Sequence, residues 1–204
     1  MKIYTDIIQR SAEWHALRMG KITATHFDTL ANGKPVGIRK LCWETAKERI
    51  DRCAAESIPI NNAMQWGIDH EDEAIAKFEW DSGFSVDKVG FVEYNDYFGF
   101  SPDGLIDDNG GMEIKCPQKN TYDNLAKKKA HALDWMWIPS KHRWQIQASL
   151  YILKGKFWYY VVYYPGEKLL VETVKPDDES FHKIEVGIKK CEDWIRNIVL
   201  AYAA

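Results

Sequence analysis

Ser101-Pro-Asp-Gly-Leu-Ile-Asp-Asp-Asn-Gly-Gly-Met-Glu-Ile-Lys-Cys-Pro117 sets an acidic turn between two apolar runs, and those runs read as paired strands. Asn109-Gly110 tolerates the positive φ that a tight hairpin turn demands. Side chains of a strand alternate between faces. Glu113 and Lys115 therefore share one face, while Met112, Ile114 and Cys116 point into the opposite layer. Asp103, Glu113 and Lys115 are thus placed on two paired strands, with two carboxylates and one ammonium close together.

That trio suits phosphodiester cleavage. A phosphodiester repels nucleophiles because its oxygens are negative, and hard cations held by carboxylates neutralise that charge, position water and stabilise the leaving oxyanion. Magnesium takes few protein carboxylates and keeps waters and phosphate as its other ligands, which fits Asp103, Glu113 and a backbone carbonyl such as that of Ile114. Lys115 then orients or deprotonates the attacking water. An isolated E-x-K triplet, by contrast, is commonly a surface ion pair on an edge strand. The Pro102-Asp103-Gly104 turn upstream is what lifts this one above that reading.

Outward from the hairpin, further motifs stand in order: Trp14-His-Ala-Leu-Arg-Met-Gly-Lys-Ile-Thr-Ala-Thr25, Trp66-Gly-Ile-Asp-His-Glu71 and Gln145-Ile-Gln147. Together with Ser101-Pro-Asp-Gly104 and Glu113-Ile-Lys-Cys-Pro117, they resemble the lambda-exonuclease and YqaJ-type viral recombinase family of the PD-(D/E)xK nuclease superfamily. The resemblance covers most of the chain.

It implies a metal-dependent 5′→3′ exonuclease on double-stranded DNA ends, yielding nucleoside 5′-monophosphates and a 3′ single-stranded tail. Mg²⁺ is the implied cofactor, with Mn²⁺ as the alternative and two ions per site. It further implies a homotrimeric ring, a single-strand annealing partner, and a phage or prophage protein in the bacterial cytoplasm. The rival readings are another nuclease of the superfamily, either endonuclease or helicase-linked, and a noncatalytic DNA-binding protein of the same fold.

Residue by residue, the match gives Glu71 as an additional metal carboxylate, against a reading as a helix-start glutamate facing the macrodipole. Gln145 matches a glutamine facing the active site, where an amide can hold phosphate or water, and Gln147 is the neighbour open to confusion with it. Arg18, Thr23, Thr25 and Ser101 match a pocket for a terminal 5′-phosphate, which a guanidinium and hydroxyls would grip. The alternative is a helix-terminal arginine with capping threonines. Met64 matches an apolar wedge that separates strands, or else is core. A second family arginine beyond the E-x-K strand is replaced by Thr121, with Lys119 nearby.

The 204 residues, 46% hydrophobic, are sufficient for one packed domain over residues 1–204. No run approaches the ~20 apolar residues that span a bilayer, and Met1-Lys-Ile-Tyr-Thr-Asp6 carries no signal pattern. The net charge of -3 does not advertise nucleic-acid binding, although a protein can confine its basic residues to a groove. Lys34 to Lys40, Lys127-Lys-Lys129, Lys141-His-Arg143 and Lys154-Gly-Lys156 are local basic segments of that kind, or solvated faces. Cys42, Cys53, Cys116 and Cys191 lack C-x-x-C spacing or C-terminal clustering, and read as buried thiols rather than cluster ligands.

Along the chain, Ser11 caps a short helix ending at Gly20, and another short helical piece follows Thr25. Gly33-Lys-Pro-Val-Gly37 reads as a loop, Leu41 to Cys53 as a helix, and the stretch through Ser57-Ile-Pro59 as a polar loop. Met64 to Trp80 reads as an amphipathic helix with Glu71 near its exposed beginning. Val86 to Val92, Tyr97 to Ile106 and Gly111 to Cys116 make a three-stranded unit. Tyr122 to Ala130 and His142 to Leu153 are helical. Phe157 to Tyr164 is so rich in aromatic and β-branched residues that a central strand is expected, paired with Lys168 to Val174. The density there makes these aromatics, with Trp135, Trp137 and Trp144, sheet core rather than base-stacking platforms. A terminal helix runs to about Tyr202. The order predicts an α/β (α+β) fold: a central mixed β-sheet flanked by helices, which the resemblance makes restriction-endonuclease-like.

Overall fold

The structure, a computed structural model, describes residues 1–53 and 60–203, so the loop expected through Ser57-Ile-Pro59 lies outside the described residues. The expected mixed sheet is present. β5 (Gly104–Ile106) and β6 (Gly110–Lys115) form the hairpin, β6 runs parallel to β7 (Phe157–Val162), and β8 (Leu170–Val174) closes the other side antiparallel. The parallel β6–β7 step requires a crossover, made by α5 (Lys119–His131) and α6 (Ser140–Leu153).

β7 is interior, as its composition predicts. Its alternation feeds two cores. Trp158, Tyr160 and Val162 face α6 and the larger cluster, while Val161 and Tyr163 join Met112, Ile114 and Cys116 under α4 (Asn62–Ser82). From α4 come Ala74, Ile75 and Phe78, at the spacing that puts them on one helix face. The sheet is therefore covered by helices on both sides, and Trp158 and Tyr160 are fully buried core rather than exposed stacking surfaces.

A second four-stranded sheet was not expected. Its order is β1 (Lys2–Tyr4), β3 (Phe91–Glu93), β4 (Phe98–Phe100), β2 (Ile22–Thr23). The run from Tyr97 to Ile106 is thus two strands, β4 and β5, in different sheets. Ser101-Pro102-Asp103 breaks it, because Pro102 has no N–H to donate to a ladder. Asp103 consequently stands in the connection before β5 rather than on a strand.

The hairpin turn also differs in detail: the residue at positive φ is Asp107 (φ 51), not Asn109 or Gly110. Gly110 serves a different need, since a Cβ there would meet the Phe157 ring at 2.2 Å.

Three other expectations change. Pro35 opens α3 (Pro35–Asp51), because its missing N–H is no loss in a first turn, so only Gly33-Lys34 remain as loop. Asn61 caps α4, its side chain accepting from Met64 N at 2.9 Å, and Glu71 therefore sits in the third turn, away from the helix start. Among the cysteines, Cys42, Cys116 and Cys191 are buried but Cys53 is exposed. α2 (Phe27–Asn32) and the last helix, α7 (Asp178–Ala203), pack on the larger core. Among the described residues no helix is long and apolar enough to cross a membrane.

Candidate active site

Asp103 and Lys115 line a cleft of about 850 Å³ together with Glu71 and Gln145, and Glu113, buried and outside that lining, contacts both Lys115 and Gln145. The backbone makes the first connection: Ile114 N donates to Asp103 Oδ2 at 2.6 Å, which fixes the turn carboxylate against β6. Glu113 is 2% exposed and both its oxygens are engaged. Lys115 pairs with Oε1, as two residues on one strand face can. From α6, Gln145 Nε2 donates to Oε2 at 2.6 Å.

Gln147 is excluded from the cleft. It is buried, with Nε2 donating to Lys175 O at 2.9 Å and Oε1 accepting from Asp177 N at 3.1 Å, so it fastens the entry to α7.

The electrostatics follow from crowding acids. Burial, then the charges of Glu113 and Glu71, push the Asp103 carboxyl up to about 8, against the opposing pull of Lys115 and the Ile114 N–H. Burial alone would lower Lys115, yet Glu113 and Asp103 hold its ammonium well above the ordinary lysine range. About a third of the Lys115 side chain stays open to the cleft, 32%, so solvent screens part of that attraction. Nearby, burial first and then Lys115 and Lys141 press His142 down to about 3. His142 is therefore a neutral ring at physiological pH, its Nδ1 2.8 Å from the Tyr160 hydroxyl.

Glu71 reaches the same cleft from α4. Its Oε2 is 3.2 Å from Arg10 Nη2, an arginine that the motif reading did not single out. Arg10 precedes the Ser11 cap, and nothing in the local pattern distinguishes it. Its signal is structural: φ 72 in a residue other than glycine.

The donor set fits a hard divalent cation. All candidate ligands are oxygens: the carboxylates of Asp103, Glu113 and Glu71 and the Ile114 carbonyl. A desolvated Asp103 facing Glu113 is an acid pair that a cation would relieve. Among the described residues, no group of three or more His, Cys, Asp or Glu side chains is arranged to hold a metal ion. Mg²⁺ suits such a partial set, because it keeps several waters.

The second set of residues comes together in pairs. Arg18 Nη1 donates to Ser101 Oγ at 3.3 Å, and Trp14 Nε1 donates to the same oxygen at 2.8 Å. The Arg18 guanidinium lies 4.0 Å over the Trp14 ring, and burial lowers it to about 10, with Glu48 opposing. The other pair is Thr23 and Thr25, their hydroxyls 3.1 Å apart. Pairing of β2 with β4 sets Thr23 against Gly99, two residues from Ser101. Thr25 lines the cleft, whereas Arg18 does not.

Met64 is 44% exposed on the cleft rim, which removes the core alternative. Thr121 lines the cleft, while Lys119 is held by Asp123 at 2.5 Å and Glu167 at 2.9 Å and does not replace the absent arginine there.

The profile of the YqaJ-like viral recombinase domain matches residues 13–154. An alkaline exonuclease (LHK-Exo) from Laribacter hongkongensis is similar at 25% identity and TM-score 0.75, over 95% of this chain and 98% of that one. The same protein in complex with dAMP superposes at TM-score 0.74. A phage related exonuclease from Haemophilus somnus 129PT shares the fold at TM-score 0.66 and 12% identity, over 89% of this chain and 96% of that one. No curated protein matches the chain.

Proposed function

The chain belongs to the YqaJ-like viral recombinase domain family, and from that premise we propose that it is a divalent-metal-dependent 5′→3′ exonuclease acting on double-stranded DNA ends. The observation that carries the proposal is the fixed triad: Asp103 bonded to Ile114 N at 2.6 Å, with Glu113 and Lys115 in contact one residue to either side. Products would be nucleoside 5′-monophosphates and a 3′ single-stranded tail suited to phage-type recombination.

A divalent cation, Mg²⁺ or Mn²⁺ and two per site, would be held by Asp103, Glu113, Glu71 and the Ile114 carbonyl, and when bound would neutralise phosphate charge and acidify water. Glu113 is oriented by its two partners, Lys115 and Gln145. Lys115, open to the cleft, stands ready to orient the attacking water and to offset charge on the departing oxygen. Gln145 has a second amide hydrogen and a carbonyl oxygen for phosphate or water. Neutral His142 beside Lys115 adds no competing positive charge.

Polarity would come from Arg18, Thr23, Thr25 and Ser101 gripping a 5′-phosphate, with Met64 as the strand-separating wedge. We extend the proposal to a single domain over residues 1–204 and a cytoplasmic location, argued from length and composition, and to a homotrimeric ring, a single-strand annealing partner and a phage or prophage origin in a bacterial host, argued from family resemblance.

The test is a comparison of closed circular with linear duplex in Mg²⁺. Loss of the linear form alone supports an exonuclease. Nicking of closed circles would move the chain to the endonucleases of the superfamily, and no metal-stimulated nucleotide release from either would favour a noncatalytic DNA-binding protein.

A further inference from the structure

Arg10 lines the cleft beside Glu71, and its backbone is held there at some cost. Ile8 to Ser11 form a turn closed by Ser11 N donating to Ile8 O at 3.1 Å, with Arg10 in its third position at φ 72. Side chains disfavour that conformation, so surrounding contacts must impose it.

Those contacts are visible. Gln9 Nε2 donates to Val89 O at 3.0 Å and to Pro102 O at 2.8 Å, tying the turn to the peptide immediately before Asp103. On the other side, Ser11 caps α1 (Ala12–Arg18) by accepting from Trp14 N at 3.2 Å. The Arg10 Cα is therefore fixed relative to Asp103, while its side chain is 46% exposed and paired with Glu71 at 3.2 Å.

Arg10, Glu71 and Asp103 line both the cleft and a second, smaller cavity of about 370 Å³. Few cations are placed to meet DNA in the cleft. Lys115 is tied to Glu113, Arg18 lies outside the lining, and Thr121 offers only a hydroxyl. Arg10 and Lys141 remain. Of these, Arg10 is the one whose described partner is a candidate metal carboxylate.

We infer that Arg10 is a phosphate-gripping residue of this nuclease, held on Glu71 in the free protein and transferred to a phosphate of the cleaved strand when DNA enters, which leaves Glu71 free to face the cation. The exchange is favourable in direction. A half-exposed ion pair to a carboxylate is weak, whereas a guanidinium can bind phosphate bidentately through charge-assisted hydrogen bonds. The inference rests on the nuclease reading above and deepens it by assigning a substrate contact.

The test removes the side chain without strain. Arg10→Gly suits φ 72, so it should fold, and a thermal melt confirms that it does. Duplex binding is measured by fluorescence anisotropy in a Lys115→Ala background, where cleavage does not interfere, from about 50 to about 200 mM salt. Removing one phosphate contact should reduce the slope of log K against log salt by about 0.9. Affinity should fall roughly tenfold at the lower salt, and Arg10→Lys should restore the slope but only part of the affinity. In the cleavage-competent protein, Arg10→Gly should raise KM more than it lowers kcat. A parent that binds duplex, with an unchanged slope in Arg10→Gly, overturns the inference and leaves Arg10 as a structural partner of Glu71. A parent that binds no duplex overturns the nuclease reading together with it.

Discussion

Gln145 on α6 donates to Glu113 Oε2 at 2.6 Å while Lys115 occupies the other oxygen, so the most buried acid of the site is held from two elements at once. Orientation of this kind is worth about 10–100-fold in metal affinity or activity where it has been removed from metal sites. Gln145→Ala is expected to fall in that range, read from initial rates across a Mg²⁺ titration. An unchanged titration would show that Glu113 needs no support.

Gln147→Ala should behave in the opposite way. It removes a buried amide and leaves Lys175 O and Asp177 N without their partner, so the expected loss is about 1–3 kcal/mol of stability with turnover preserved in the folded fraction. Denaturant melts and kcat separate the two effects. A fall in kcat at full stability would mean the helix presents the wrong glutamine to the cleft.

Lys115→Ala should abolish cleavage. It also leaves Glu113, 2% exposed, beside Asp103 without its compensating cation. Because the ammonium was one-third exposed, the stability loss should be modest, about 1–2 kcal/mol, below the range for breaking a fully buried pair. Added Mg²⁺ should recover most of it by binding the same carboxylates. Near-normal turnover in this variant would remove Lys115 from the chemistry.

Asp103 gives a pH dependence with a definite sign. Its folded carboxyl, raised from 3.8 to about 8, binds a proton that the unfolded chain has already released between those values. The metal-free protein should therefore lose stability as pH rises from about 4 to about 8, and a divalent cation, which needs the ionised form, should stabilise it more at pH 8 than at pH 6. Thermal shifts with and without Mg²⁺ at the two pH values measure this directly. Equal shifts would place the cation away from Asp103.

Arg18→Ala should reduce discrimination between 5′-phosphorylated and 5′-hydroxyl ends, by roughly tenfold if one charge-assisted contact is lost. The guanidinium also packs on Trp14 at 4.0 Å, so Arg18→Lys, which retains the charge, is the companion variant. Unaltered discrimination would move end recognition to the cleft-lining cations other than Lys115, namely Arg10 and Lys141.

The parts legible in the sequence were those with a strong local rule. Period-two alternation placed Glu113 and Lys115 together and sent Met112 and Ile114 to the other core. The apolar density of Phe157 to Tyr164 marked the interior strand β7. What tertiary contacts decide was not legible. β2 is two residues long and exists because it pairs with β4, and β1 is too short to show a period. Pro102 hid a change of sheet within one apolar run. Arg10 carried no motif, because its importance lies in a backbone angle and in a turn pinned by Gln9. Glu71 was named from resemblance, yet its place in the third turn of α4 depended on Asn61 opening the helix.

The most direct measurement is digestion of linear duplex labelled at either the 5′ or the 3′ end of one strand, with and without 5′-phosphate, in Mg²⁺ and in chelator. Cleavage centred on Asp103, Glu113 and Lys115 predicts early release of the 5′ label as mononucleotide, faster from phosphorylated ends and absent in chelator. Release that persists in chelator, or none in Mg²⁺ from a folded protein, would contradict it.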